Sequence, residues 1–123
     1  MRRNKASRIQ LPTTMQNTHE PLVVFALLNL GLAQSLGSGV ITPEEAVETF
    51  YHGDNCLFVQ RDIRNKVAAA IMSRGAQLAD LFAVLPAAEA RREFYAELEA
   101  IRSLCLKLLG GARSASFGTR VAA

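Results

Sequence analysis

An all-α fold is what this sequence predicts: a compact bundle of about five helices, two of them short. Three observations carry that expectation. Apolar residues recur at spacings of three and four through most of residues 22–109, and helix stops and starts are written in glycine, threonine and proline. Nowhere does a run of β-branched residues alternate with polar ones as a half-buried strand requires. A chain of 123 residues, half of them apolar, is enough for one ordinary core and too short for two. The organisation read from it is a basic disordered leader over residues 1–20, one helical domain over 21–110 and a flexible tail over 111–123.

The leader is rich in Arg, Asn, Thr, Ser and Gln and has no apolar period, and Met15 offers an alternative start. From Leu22 the pattern turns helical, with Leu22, Phe25, Leu28 or Asn29, Leu32 and Leu36 on one face. Val23, Val24, Leu27 and Leu30 fill the neighbouring faces, so this helix is apolar nearly all round, as in a buried or lipid-embedded helix. Gly37, Ser38 and Gly39 supply positions that tolerate positive φ at its C-terminus. Thr42-Pro43-Glu44-Glu45 then reads as a capping box opening a second, short helix over about 42–52, which offers Ala46, Val47, Phe50 and Tyr51 to the core.

His52-Gly53-Asp54-Asn55 reads as a turn, with Asp54 or Asn55 capping a third helix that runs to about Arg74. Its stripe is Cys56, Val59, Ile63, Val67, Ala70 and Ile71, which Leu57 and Phe58 do not fit. Gly75 is expected to break it, and "AQLADLFAVL" gives a fourth, short helix burying Leu78, Leu81, Phe82 and Leu85. The clearest pattern comes last: Phe94, Leu98, Ile101, Cys105 and Leu108 form a seam expected to lie along the first helix, with Gly110-Gly111 as its end.

The stretch "PLVVFALLNLGLAQSLGSGVITP", without an ionisable side chain, raises three alternatives: a membrane span, an export signal or a core helix. A span needs about twenty apolar residues, and Asn29, Gln34, Ser35 and the Gly-Ser-Gly stretch interrupt this one. An export signal over residues 1–35, with MRRNK as its basic start and Ala33-Gln34-Ser35 as a cleavage site, is the better rival. Against it stand a twenty-residue, largely polar stretch before the apolar run, and loss of the partner for the C-terminal seam. The reading preferred is a cytoplasmic core helix with no membrane span.

The net charge of +3 divides unevenly: residues 1–21 hold +3, residues 110–123 hold +2, and residues 22–109 hold −2. Phosphate binding draws its affinity from Lys and Arg concentrated on a folded face, so no nucleic acid is expected for the folded domain. Cys56 and Cys105 are distant in sequence and form no CxxC, as in a reduced protein with two small, mostly buried thiols.

Reactive side chains come close together only in His52-x-Asp54-x-Cys56, where a thiol near a helix N-terminus with a neighbouring imidazole has the makings of an activated nucleophile. Cys56 also sits on an apolar stripe, and His52 and Asp54 are ordinary turn residues. A metal site needs three or four convergent ligands, and the other histidine, His19, lies in the leader, so neither metal nor cofactor is expected. Nucleotide and hydrolase motifs are missing. Leu57 and Phe58, beside Arg61 and Asp62, form either an apolar interaction patch rimmed by charge or a staple against Phe50 or Tyr51.

"LLNLGLAQSLGSGVITPEEA", "SRGAQLADLFAVLP" and a final helix ending in "LKLL" together resemble a family of small, uncharacterised all-helical bacterial proteins. That family shares an LGL helix, a G-[IV]-[ST]-x-[ED]-[ED]-A corner and a G-x-x-L-x-D-L segment. The matching positions are Gly39, Ile41, Glu44, Glu45, Ala46, Gly75, Leu78, Asp80 and Leu81, with Val40 and Ile41 both standing between Gly39 and Thr42 where the family has one residue. The resemblance covers about residues 22–109, implies a compact bacterial helical domain and carries no catalytic residue across. The function expected is non-enzymatic protein–protein interaction, as an adaptor or immunity-type protein or by self-association. The alternatives are a minimal thiol-dependent enzyme using Cys56 and His52, and tail-driven binding to nucleic acid or anionic membrane.

Overall fold

A computed structural model describes residues 8–121, with side chains described as far as Gly111. The described residues are helical without a strand: α1 (Leu11–Thr14), α2 (Pro21–Gly37), α3 (Pro43–Thr49), α4 (Gly53–Phe58), a π-helical turn (Val59–Ile63), α5 (Lys66–Ala76), α6 (Leu78–Val84) and α7 (Ala87–Val121). The all-α bundle is therefore as expected, although its helices are more numerous than the apolar periods suggest.

α7 is the spine. Its most extensive neighbour is α2, and α5 and α6 lie against it as well. The seam is as its spacing predicts: Phe94, Leu98, Ile101, Cys105 and Leu108 are all buried, with Ala90 one turn before them. α2 meets them with Phe25, Ala26, Ala33 and Leu36, the two alanines letting the backbones approach. Each large apolar side chain removed from water here contributes roughly 1.5–3 kcal/mol before conformational entropy is charged against it.

The corner after α2 follows the sequence closely. Gly39 takes φ +78°, and the Gly39 and Val40 amides donate to the Leu36 and Ser35 carbonyls, a Schellman arrangement that pairs groups a helix end leaves open. The Thr42 hydroxyl accepts from the Glu45 amide at 3.1 Å while the Glu45 carboxylate accepts from the Thr42 amide at 2.8 Å, with Pro43 at the first helical position.

Four expectations are corrected. The leader is not free throughout: residues 9–15 lie on the body, with Leu11 and Met15 buried and Ile9 half-buried against the core. An apolar period cannot reveal a docking segment of one helical turn. The third helix is two helices. Asn65 accepts from the Ala68 amide at 3.0 Å and so opens α5, while Arg64 turns the chain in the left-handed region at φ 54°. Gly75 does not break a helix but lies within α5, at a close approach to Tyr51. The final helix passes through Gly110-Gly111 to Val121 instead of ending there, because a glycine costs a helix only about 1 kcal/mol relative to alanine and no proline follows.

Arg64 makes a stability prediction. A side chain in the left-handed region costs about 1–2 kcal/mol, part of which a glycine recovers while losing more entropy on folding. Arg64 is exposed, so Arg64→Gly should raise stability by about 0.5–1 kcal/mol in urea denaturation.

By length and composition Lys66–Val84 is apolar enough to cross a membrane. It is, however, two helices meeting at Gln77, and it sends Ala68, Ile71, Met72 and Leu78 into the core.

Candidate functional site

The turn from α3 to α4 carries the reactive side chains singled out by the sequence. Phe50 and Tyr51 anchor it, their rings edge to face with centroids 5.1 Å apart, and Phe50 reaches Phe25 of α2 at 6.3 Å. The Tyr51 hydroxyl donates to Asn29 Oδ1 at 2.7 Å, and Asn29 Nδ2 donates to the Phe25 carbonyl at 3.0 Å. Both side chains are buried and satisfied, which ties α2 to the turn.

His52, not Asp54 or Asn55, stands at the N-cap of α4. Its Nδ1 accepts from the Asn55 amide at 3.4 Å, and its Nε2 lies 3.0 Å from the Ile9 carbonyl oxygen. A carbonyl only accepts, so Nε2 is the donor in the contact with Ile9. Asn55 is wholly buried and fully used: Oδ1 accepts from the Leu11 amide at 2.9 Å, and Nδ2 donates to the Ile9 and Phe50 carbonyls at 2.9 and 2.8 Å. With the Ile9 amide donating to the Thr49 carbonyl at 2.8 Å, these groups clamp the N-terminal arm into the turn.

Cys56 does not pair with this imidazole. Its half-buried thiol points to the Tyr51 carbonyl, Sγ to oxygen 3.7 Å, and burial pushes its pKa up, which disfavours the thiolate a nucleophile needs. Asp54 is exposed and faces Arg8 at 3.9 Å. The three residues of the sequence constellation thus address three different partners. Among the described residues no group of three or more His, Cys, Asp and Glu is placed to hold a metal.

Cys105, on α7, is fully buried, and its thiol is pushed up to about 11 by burial, with Arg102 pulling the other way. Unfolding frees this thiol to ionise in its ordinary range, so the unfolded chain loses the proton first and the native state loses stability as pH rises from about 9 to about 11. Denaturation midpoints measured across that interval should fall, and Cys105→Ala should flatten the decline.

Of the proposed patch, the structure exposes Leu57, 42 % accessible, together with Arg61 and Asp62, and turns Phe58 half-buried onto the core. The two residues therefore belong to different environments. Leu57→Asp should leave stability within about 0.5 kcal/mol, whereas Phe58→Asp should cost about 2 kcal/mol or more for a charge set against apolar neighbours, both read from urea denaturation.

A larger apolar surface lies where α6 meets α7. Phe82 stacks edge to face on Phe94 at 5.4 Å, Phe94 on Tyr95 at 5.2 Å, and the Tyr95 hydroxyl lies 3.5 Å from the Gly37 carbonyl at the end of α2. Phe82 and Tyr95 are 43 % and 51 % accessible and Val84 is 77 % accessible, so only Phe94 of this chain of rings is truly interior. Tyr95 lines an open groove of about 530 Å³ with Gly37 and Arg102, and a second groove of about 450 Å³ lies along α6 beside Leu81 and Val84.

Comparison with family models, with curated proteins and with solved structures finds no match.

The period Leu78, Leu81, Phe82, Leu85 predicts a buried Phe82, and the structure exposes it. In a helix as short as α6 that stripe is wider than the face its neighbours cover, and Leu78 alone is fully buried. Tyr95 was missed, although a signal existed: Phe94 and Tyr95 are consecutive, and residues 100° apart on a helix cannot both enter a narrow seam.

Proposed function

We propose that this domain is a non-enzymatic protein-interaction module whose contact surface is the α6–α7 face of Phe82 and Tyr95. The observation that supports it most is the pair of large aromatic side chains left in water, Tyr95 at the edge of an open groove, since aromatic residues held at a surface are the usual anchors of protein interfaces. The disposition of the polar groups agrees. His52 and Asn55 hold main-chain partners and Cys56 faces a carbonyl, which leaves the thiol-enzyme alternative without an activated nucleophile. Two free thiols fit a reducing cytoplasm. The bacterial setting is what the family resemblance implies, and the adaptor or immunity-type role is the form of the interaction reading that fits a small helical domain.

The test is a Phe82→Ser plus Tyr95→Ser variant compared with wild type by affinity capture from cells of origin at moderate salt, and by sedimentation for self-association. The variant should keep its helical circular dichroism and lose a stoichiometric partner, or the dimer. An unchanged set of partners removes this surface from consideration. Binding that vanishes with salt or with deletion of residues 1–7 instead supports tail-driven nucleic-acid or anionic-membrane binding.

A further inference from the structure

The clamp that holds residues 9–15 has the chemistry of a peptide-binding site. Its four hydrogen bonds address main-chain atoms: the Ile9 amide reaches the Thr49 carbonyl, Asn55 and His52 both donate to the Ile9 carbonyl, and the Leu11 amide donates to Asn55. Contacts of this kind accept any segment that follows the same backbone path, while side-chain pockets select among segments. Selection here rests on Leu11, which is fully buried, with Ile9 and Met15 beside it and Pro12 opening the single turn of α1. The arm meets the body chiefly through α4, and four of the five residues that join it to α2, Gln16, Asn17, His19 and Glu20, are exposed. One feature marks the cis segment as an imperfect occupant: Arg8 Nε is buried without a hydrogen-bond partner, and its guanidinium reaches Asp54 only at 3.9 Å.

We infer that the α3–α4 turn, with Asn55 of α4, is a recognition site which residues 9–15 occupy in cis. Its partner in trans is a segment of another protein carrying an apolar residue, one extended spacer, and then leucine and proline opening a helical turn. Asn55 and His52 read the backbone, the Leu11 pocket supplies specificity, and the arm acts as an intramolecular competitor that the partner displaces. The inference rests on the reading of the chain as an interaction module, but uses residues separate from Phe82 and Tyr95.

The experiment uses the full chain and a fluorescein-labelled synthetic peptide spanning residues 7–16. Native-state hydrogen exchange should show the Ile9 and Leu11 amides opening at least ~100-fold more often than those of Ile101 and Cys105, because the arm is released without global unfolding. The peptide should bind saturably by fluorescence anisotropy. Leu11→Ala in the protein, which weakens only the competitor, should tighten that binding on the order of 10-fold, and a peptide with aspartate in place of the leucine should not bind. Exchange of Ile9 and Leu11 together with the α7 amides, or no peptide binding to either protein, overturns the proposal. The exchange readout needs no variant, so it decides even if Leu11→Ala unfolds the chain. Loss of the Phe82 and Tyr95 surface leaves both readouts untouched, so the two readings fail separately.

Discussion

Gly75→Ala is expected to destabilise the domain by about 2–3 kcal/mol, although intrinsic helix propensity alone predicts a gain of about 1 kcal/mol for the same change. The sign is decided by Tyr51. A methyl group built on Gly75 falls within the Tyr51 ring, which is itself immobilised by Phe50 on one edge and by its hydrogen bond to Asn29. Neither the ring nor α5 has room to yield, since the phenol is buried and Ile71 and Met72 on α5 are core residues. A fall in melting temperature on the order of 10 °C is the result to expect for a domain of this size. A neutral or stabilised Gly75→Ala protein contradicts the close approach of α5 to the α3–α4 turn.

The second large effect is at Asn55. Truncation to alanine leaves the Leu11 amide and the Phe50 carbonyl without partners in buried surroundings, while the Ile9 carbonyl keeps His52. Each unsatisfied buried group costs about 1–3 kcal/mol, so Asn55→Ala should lose about 3 kcal/mol or more in urea denaturation. His52→Ala should lose only about 1 kcal/mol, the usual worth of a helix cap, because the Ile9 carbonyl then keeps Asn55. Equal losses at the two positions contradict the division of labour drawn from the hydrogen bonds.

The contrast between Asn55 and the seam of α7 shows what in this sequence was legible. Phe94, Leu98, Ile101, Cys105 and Leu108 announce themselves because a long helix with one partner repeats its contact every three or four residues, and all five are buried. The Thr42 capping box and Gly39 are equally readable, since both are local chemistry between residues a few positions apart. Asn55 is not readable in this way. Its partners are Phe50, five residues away, and Ile9 and Leu11, more than forty away, and nothing in a polar turn residue signals that a distant arm will need it. Asn29 is the same case on α2, a polar residue in an apolar helix whose purpose appears only when Tyr51 arrives from the next turn.

The candidate sites divide along the same line. Chemistry-bearing residue types drew attention to His52 and Cys56, yet tertiary contacts assign the first to the arm and the second to a carbonyl. Exposure of Phe82 and Tyr95 depends on how much of α6 and α7 their neighbours cover, which no window of sequence contains. Leu57 and Phe58 divide because consecutive residues point about 100° apart on a helix, and only Phe58 of the two is turned to the core.

The most direct test of the interaction-module reading is photo-crosslinking from position 95 in cells of origin, with a benzophenone side chain in place of Tyr95 and the same group at exposed Ser73 of α5 as the control. The account predicts one discrete adduct from position 95, a partner protein or a second copy of this chain, and none from position 73. A position 95 that gives no adduct above the control contradicts the account.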